Sequence, residues 1–368
     1  MSTWGMPHEQ TPPKAFYEQI VMKWAVSTEE GKTTPRLVEE RAFVSLPLES
    51  SRIDVALDLE HRKKGLLWYS TYKVSFSALY TFRNISSRDQ AVTFTVDFPA
   101  EKAIYDGFSL SLDATPLRTT HEGKGMRATA PVPAGKLAVL KLSYRSQGLS
   151  SWQYSFGGDV ADVRDFILKM TSNFKDVDFA EDTLSPTEKR ETSSGWELTW
   201  AYKNLVSGIK LGVLMPEKLQ PGPLAGRISY FAPVSLFFFF FLMFIMTTVR
   251  GIELHPMNYF FLAAAFFSFH LLLAYLVDHI SIHTAFLICS AVSIFLVVSY
   301  LRLVVGMHFA LREAGLAQFI YLVLFSYAFF LEGFTGLAIT IGSIITLFVV
   351  MQMTGRVRWA EKFERRPA

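Results

Sequence analysis

Five stretches in the C-terminal part of the chain contain no Asp, Glu, Lys or Arg, and they restrict the possible fold more than any other feature. They cover residues 228–249, 254–277, 279–301, 314–331 and 333–355. A helix of about 20 apolar residues spans a hydrocarbon core of about 30 Å, so each stretch is long enough to cross a membrane. The sequence therefore predicts five transmembrane helices, at about 228–249, 254–277, 281–301, 315–332 and 335–355.

The charged residues divide the chain into two unlike parts. Residues 229–368 contain eight Lys or Arg and six Asp or Glu, whereas residues 1–228 contain 28 and 27. Only residues 1–228 have the composition of a water-soluble domain. This division excludes a single soluble domain and a disordered chain, and the single cysteine, Cys289, excludes a disulfide scaffold. The net charge of +3 gives no argument for nucleic acid as a partner. The five apolar stretches make the lipid bilayer the expected partner.

Basic residues predict the orientation of the bundle. Arg250 lies in the joint after the first helix, Arg302 and Arg312 lie in the joint after the third, and residues 356–368 form a tail with five more basic residues. The joints at Asp278–His283 and Glu332–Gly336 contain no Lys or Arg. The positive-inside rule therefore places the tail in the cytoplasm and residues 1–228 on the outer face. Residues 1–32 contain no apolar stretch long enough for a visible signal peptide or first anchor, so the route of translocation is not apparent.

Residues 1–215 are predicted to form a β-rich, sandwich-like domain outside the membrane. Apolar side chains alternate with polar ones in several segments, most clearly over residues 53–59 and 72–82, and turn residues separate these segments. Short strands at this spacing favour an antiparallel sandwich or curved sheet. One exception is Lys14–Ala25, which could form an amphipathic helix with Phe16, Ile20, Val21 and Trp24 near one face, packed on the sheet or lying on the membrane surface. Residues 216–227 are rich in Pro and Gly and are interpreted as the connector to the bundle.

Ionisable side chains within or beside the apolar stretches are the candidates for chemistry, because such groups are costly in a membrane. They are His270, Asp278, His279, His283 and Glu332. Carboxylates and imidazoles at one depth could bind a divalent metal or relay protons. The alternative is that they are hydrated at the headgroups or bonded between helices. The spacing matches no metal motif, and His279 is rotated about 100° from Asp278 on a helix.

The chain has no other pattern typical of a catalytic or cofactor site. It contains no Gly-rich phosphate loop, no nucleophile elbow, no paired cysteines and no His-Glu-x-x-His motif. Cys289 lies in a transmembrane stretch, where a thiolate is poorly stabilised, so we interpret it as a small packing residue. We therefore expect no catalytic residue, no cofactor and no bound metal.

Three segments resemble the CreD family of bacterial inner-membrane proteins. Glu253-Leu254-His255-Pro256-Met257-Asn258-Tyr259 is similar to the family's Leu-His-Pro-Met/Val-Gln-Tyr segment, and a Leu-rich helix with an acidic-His pair follows it. The most specific residues are His255, Pro256 and Tyr259. Thr354-Gly355-Arg356-Val357-Arg358-Trp359 resembles the closing Thr-Arg-x-x-Asp-Trp stretch, and residues 62–69 resemble an Arg-x-Gly-x-Tyr strand opening.

The resemblance implies an inner-membrane protein with a periplasmic β-rich domain and a helical bundle. It also implies a non-catalytic role in envelope integrity, stress response or the response to β-lactams, with an envelope protein partner that the sequence does not identify. The family has an N-terminal transmembrane anchor that is not visible in this chain. The alternatives are a transporter or channel that uses His270, Asp278 and Glu332 as a polar path, and a membrane metalloenzyme that uses Asp278, His279 and His283. The chain shows no paired halves of the kind typical of secondary transporters.

Overall fold

A computed structural model describes residues 5–29, 32–65, 67–157, 161–331, 333–355 and 357. The chain forms two compact units. The first, called here the β-rich unit, contains Met1–Lys64 and Trp68–Lys218. The second, called the helical unit, contains Leu219–Ala368 and the short segment Gly65–Leu67. This architecture confirms the predicted class, a β-rich domain followed by five membrane-spanning helices.

The β-rich unit contains strands that are connected by short turns. The strands are β1 (His8–Gln10), β2 (Lys14–Glu29), β3 (Lys32–Ser45), β4 (Leu48–Lys64), β5 (Leu67–Arg83), β6 (Gln90–Asp97), β7 (Tyr105–Leu112), β8 (Thr115–Pro116), β9 (Thr120–Glu122), β10 (Gly125–Val132), β11 (Leu137–Leu149), β12 (Ser151–Tyr154), β13 (Ala161–Ser172), β14 (Thr183–Leu184), β15 (Glu188–Glu191), β16 (Trp196–Ser207) and β17 (Lys210–Leu214).

The strands form three sheets. The largest has eight strands in the order β15-β16-β13-β4-β5-β11-β7-β8, a second has the order β3-β2-β6-β10-β9, and the smallest has the order β1-β12-β17-β14. Most neighbouring strands are antiparallel, whereas β1 with β12, β4 with β13 and β14 with β17 are parallel. The long pairing between β5 and β11 runs without a register shift from Leu137 opposite Arg83 to Leu149 opposite Thr71.

Alternation along the strands explains how the core of this unit forms. In β5 every second residue from Tyr72 to Phe82 is at most 2% exposed, as the period-two pattern predicts. Phe94 of β6 and Trp152 of β12 come from the two other sheets and are fully buried in the same core. The core is therefore built from the inward faces of several sheets.

The predicted helix at Lys14–Ala25 is wrong. This segment belongs to β2, which pairs with β3 from Phe16 opposite Ser45 to Glu29 opposite Lys32. Phe16, Ile20 and Trp24 are four residues apart, a spacing that fits one face of a helix and also one face of a strand, because four is a multiple of two. Met22, which lies between Ile20 and Trp24, is on the same face of the strand and is 57% exposed. Apolar residues therefore occupy every second position from Ile20 to Trp24, as on one face of a strand.

The helical unit contains six helices among the described residues. They are α1 (Pro221–Tyr230), α2 (Ala232–Arg250), α3 (Pro256–Leu276), α4 (Ile282–Val304), α5 (Met307–Phe330) and α6 (Thr335–Thr354). The helices α2 to α6 are each long and apolar enough to cross a membrane. Within α5, two segments have π-helical hydrogen bonding, Ala310–Ala314 and Phe319–Leu324.

Two predicted boundaries differ from the structure. The connector predicted at 216–227 contains most of α1, because Pro221 and Pro223 lie in the first turn, where proline removes no helical hydrogen bond. The fourth membrane helix begins at Met307 rather than near residue 315, so Arg312 and Glu313 lie inside it. The predicted tail, 356–368, lies outside the described residues except for Val357.

Candidate functional site in the helical unit

Among the predicted candidates that the structure describes, His270 is the one that is buried within the bundle. It lies in α3 with 6% of its surface exposed, and its ring is 5.0 Å from the ring of Phe269 and 5.7 Å from that of Phe266. Neither ring nitrogen has a hydrogen-bond partner among the described residues. His270 is therefore a polar group that is surrounded by aromatic rings.

The other predicted candidates that the structure describes show no contact with His270. Asp278 and His279 follow the last residue of α3 and are both exposed. His283 lies in the first turn of α4, and its ring is 5.3 Å from the ring of Phe330. Glu332 lies outside the described residues. Within the described ranges, no three His, Cys, Asp or Glu side chains are placed to hold a metal ion.

The His255-Pro256 motif acts as the start of α3. The Nδ1 atom of His255 accepts a hydrogen bond from the backbone N–H of Met257 at 3.2 Å, so the side chain caps the helix. Pro256 occupies the first helical position, where its ring presets φ. Tyr259 packs edge to face against Phe240 of α2, with the ring centroids 5.4 Å apart. These residues fix where α3 begins and how it contacts α2.

Two polar contacts link helices at the same end of the bundle as this motif. The hydroxyl of Tyr300, in α4, donates to Oδ1 of Asn258, in α3, at 2.7 Å. Arg250, at the end of α2, forms an ion pair with Glu313 in α5, and only 16% of the Glu313 side chain is exposed. The ion pair explains why the fourth membrane helix can begin before two charged residues: the Glu313 carboxylate has a cationic partner at the membrane boundary.

A hydrogen-bonded chain connects three helices deeper in the bundle. The amide nitrogen Nε2 of Gln318 donates to Oγ of Ser293 at 2.9 Å, and this hydroxyl donates to the backbone oxygen of Ala265 at 2.7 Å. Gln318 and Ser293 are fully buried, and Oε1 of Gln318 has no partner among the described residues. The chain joins α5, α4 and α3, and it contains no group that titrates near neutral pH.

A second set of polar contacts connects α5 with α2 and α6. The hydroxyl of Ser235, in α2, donates to the backbone oxygen of Tyr321, which lies in the second π-helical segment. The hydroxyl of Tyr321 donates to Oγ1 of Thr346, in α6, at 2.7 Å. A π-helical turn alters the regular hydrogen-bond pattern of a helix, so a side chain from a neighbouring helix can bond a carbonyl there. Both contacts fix the position of α5.

The sequence analysis did not identify Gln318, Ser293, Ser235, Tyr321 or Thr346. Serine, threonine and tyrosine are common in membrane helices, so hydroxyls alone give little signal. Gln318 did offer a recognisable signal, because it is the only amide side chain in the stretch 314–331. A search for amides as well as ionisable groups would have found it.

Comparison with known proteins agrees with this architecture. A model of the family described as "Inner membrane protein CreD" matches residues 210–360, which include the whole bundle. The Inner membrane protein CreD of Escherichia coli K12 is 26% identical over 314 residues, which are 75% of this chain and 67% of the relative.

Solved structures show weaker likenesses. A candidate nutrient-binding protein from Legionella pneumophila has a TM-score of 0.39 at 10% identity, covering 72% of this chain and 84% of that one. An M1 zinc metallopeptidase from Deinococcus radiodurans has a TM-score of 0.30 at 10% identity, covering 46% and 42%. Scores at this level bear on neither the fold nor the function of this chain. The sequence matches, the start of α3 and the five membrane helices agree, and residues 210–360 are similar to the CreD family of inner membrane proteins.

Proposed function

We propose that the protein is a non-catalytic, multi-pass component of the bacterial inner membrane that contributes to envelope integrity or stress response. The match of residues 210–360 to the CreD family carries this proposal. Polar contacts in the bundle support a structural role for its polar side chains, because the chain from Gln318 through Ser293 joins three helices. Within lipid the hydrophobic effect does not drive helices together, so hydrogen bonds of this kind hold the helices of a bundle in register.

A complementation experiment tests the proposed role. Cells that lack this protein should become more sensitive to a β-lactam and to bile salts, and the full chain supplied on a plasmid should restore resistance. If the bundle is non-catalytic, His270→Phe, Asp278→Asn and Glu332→Gln should each restore resistance as well as the native chain, at equal amounts in the membrane. Loss of rescue with any of these variants at an unchanged amount would instead favour a polar path or an enzyme.

We also propose that the β-rich unit is periplasmic and the C-terminus cytoplasmic. The eight basic residues of the joints and tail support this orientation, since the joints at Asp278–His283 and Glu332–Gly336 have none. Arg250 at the end of α2 and Arg312 near the start of α5 are at one end of the bundle, together with the Arg250–Glu313 ion pair. A single orientation therefore accounts for all basic residues of the joints.

Reporter fusions test this orientation. Alkaline phosphatase is active only in the periplasm, so we expect activity when it is inserted into the full chain after residue 100 or residue 281, and none when it is fused after residue 368. Fusions after Gly251 and Gly306, in the two joints with basic residues, serve as matched controls and should be inactive. The reverse pattern would contradict the proposed orientation and would leave the five crossings unchanged.

A further inference from the structure

An apolar groove of about 430 Å³ lies between α2, α5 and α6 in the helical unit. Phe238 and Leu242 line it from α2, Tyr321 and Leu324 from α5, and Gly342 and Ile345 from α6. None of the lining side chains is charged. Its volume is in the range of small-molecule sites, which is about 300–1,000 Å³.

The groove exists because α6 packs loosely on the side that faces α5. Only Thr346 and Val350 of α6 are buried. A methyl group added at Gly342 would have no atom within 4 Å, so this glycine faces open space rather than the backbone of a neighbouring helix. Small residues at helix interfaces in membranes normally allow two backbones to approach closely. Here the space beside Gly342 is not filled by a neighbouring helix, so a ligand can occupy it.

The hydrogen bonds of the lining favour an occupant without polar groups. The hydroxyl of Tyr321 donates to Thr346, that of Thr346 to the backbone oxygen of Gly342 at 2.7 Å, and that of Ser343 to the backbone oxygen of Ile339 at 2.9 Å. These three hydroxyl protons are therefore used within the protein. The fourth hydroxyl, of Tyr327, is on a 48% exposed residue in the last turn of α5, where the headgroup region lies.

The groove is long enough for an extended hydrocarbon chain. The lining of α6 extends from Ala338 to Val349, and eleven steps of 1.5 Å give a length of about 16 Å. An extended hydrocarbon chain can lie along this length against an apolar lining.

The groove is also continuous with the surface that faces lipid. Ile345 and Leu324 line it and are 57% and 50% exposed, and the neighbouring Leu347 and Phe348 of α6 are exposed as well. Since α5 and α6 cross the membrane, acyl chains are present at this surface. We propose that the groove binds one acyl chain of a bilayer phospholipid, held along α6 between Ala338 and Val349.

Photochemical labelling tests this site on the full chain. The protein is reconstituted in phosphatidylcholine vesicles that contain a phosphatidylcholine with a diazirine in the middle of one acyl chain, irradiated, and mapped by mass spectrometry. We expect adducts on Tyr321 and Thr346, which are at most 8% exposed, as well as on Leu347 and Phe348, which face lipid in any case. Labelling of only the last two residues would contradict the proposal.

Groove-filling variants provide the second arm. Gly342→Leu places a side chain in the groove and should lower labelling of Tyr321 and Thr346 about tenfold, while Leu347 and Phe348 are labelled as before. Gly336→Leu is the matched control, because a methyl group there also meets open space but Gly336 does not line the groove. Ala338→Leu fills the other end and replaces Gly342→Leu if that variant does not fold. Unchanged labelling in a folded filling variant, or labelled residues cross-linked to a second copy, would overturn the proposal.

Discussion

Lowering the pH from 7.5 to 4 should cost the β-rich unit about 3 kcal/mol of its free energy of unfolding through one side chain, His8. His8 lies in β1 opposite Trp152 of β12 and is 1% exposed. Its ring stacks on Tyr105 and lies edge-on to Tyr72, 5.7 Å away. Burial disfavours the charged imidazolium and lowers the pKa of His8 to about 4 from its usual 6.5.

The sign of the effect follows from proton binding. Below pH 6.5 the unfolded chain binds a proton at His8 that the folded unit does not bind, so protonation stabilises the unfolded state. The loss therefore begins as the pH falls through 6.5 and levels off below about 4, where the folded unit is protonated as well. Above pH 7.5 this side chain contributes no pH dependence.

Tryptophan fluorescence can follow this transition in the full chain. Six of the seven tryptophans precede residue 219 and the seventh is Trp359, so the bundle from 219 to 355 contributes no signal. Urea titrations in detergent at pH 7.5 and pH 4 should show that the native chain loses about 3 kcal/mol more than His8→Phe. His121→Phe, at an exposed position in β9, is the control and should behave like the native chain. An equal loss in His8→Phe would mean that other groups cause the pH dependence.

Local periodicity predicted those parts of the fold in which one residue pattern permits one structure. The alternation from Tyr72 to Phe82 fits only a half-buried strand, and the charge-free stretches fit only membrane helices. The segment Lys14–Ala25 was ambiguous, because its apolar residues are separated by four positions. Its pairing with β3 decides the outcome, and that contact is not encoded in the segment itself.

The candidate site was predicted less well, for a related reason. Ionisable residues stand out in an apolar sequence, but most of those in this bundle are at the ends of helices, where water can hydrate them. The groups that connect the helices are neutral, such as Gln318 and Ser293, and they become recognisable only when three helices bring them together. The pairing of Arg250 with Glu313 likewise depends on α2 and α5 meeting in space.

Gly148→Ala should destabilise the β-rich unit about as much as protonation of His8 does, by about 3 kcal/mol, at the upper end of the usual cost of overpacking. Gly148 lies in β11 directly opposite Tyr72 of β5. A methyl group at this position would be 2.2 Å from the Cζ and hydroxyl oxygen of Tyr72. Tyr72 cannot yield easily, because it is fully buried and its hydroxyl donates to the backbone oxygen of Ser151 at 2.6 Å.

A double-mutant cycle isolates this contact from other effects of the substitution. Tyr72→Ala removes the atoms that the new methyl group would meet, so Gly148→Ala should cost little in that background, whereas Tyr72→Phe keeps Cζ in place and should give no relief. Gly226→Ala, in α1, meets no atom within 4 Å and should leave the tryptophan unfolding transition unchanged. If Gly148→Ala lowers the free energy of unfolding equally in the native chain and in the Tyr72→Ala variant, the glycine is needed for the conformation of β11. Non-additive costs would show instead that Gly148 is needed because the ring of Tyr72 occupies the space beside it.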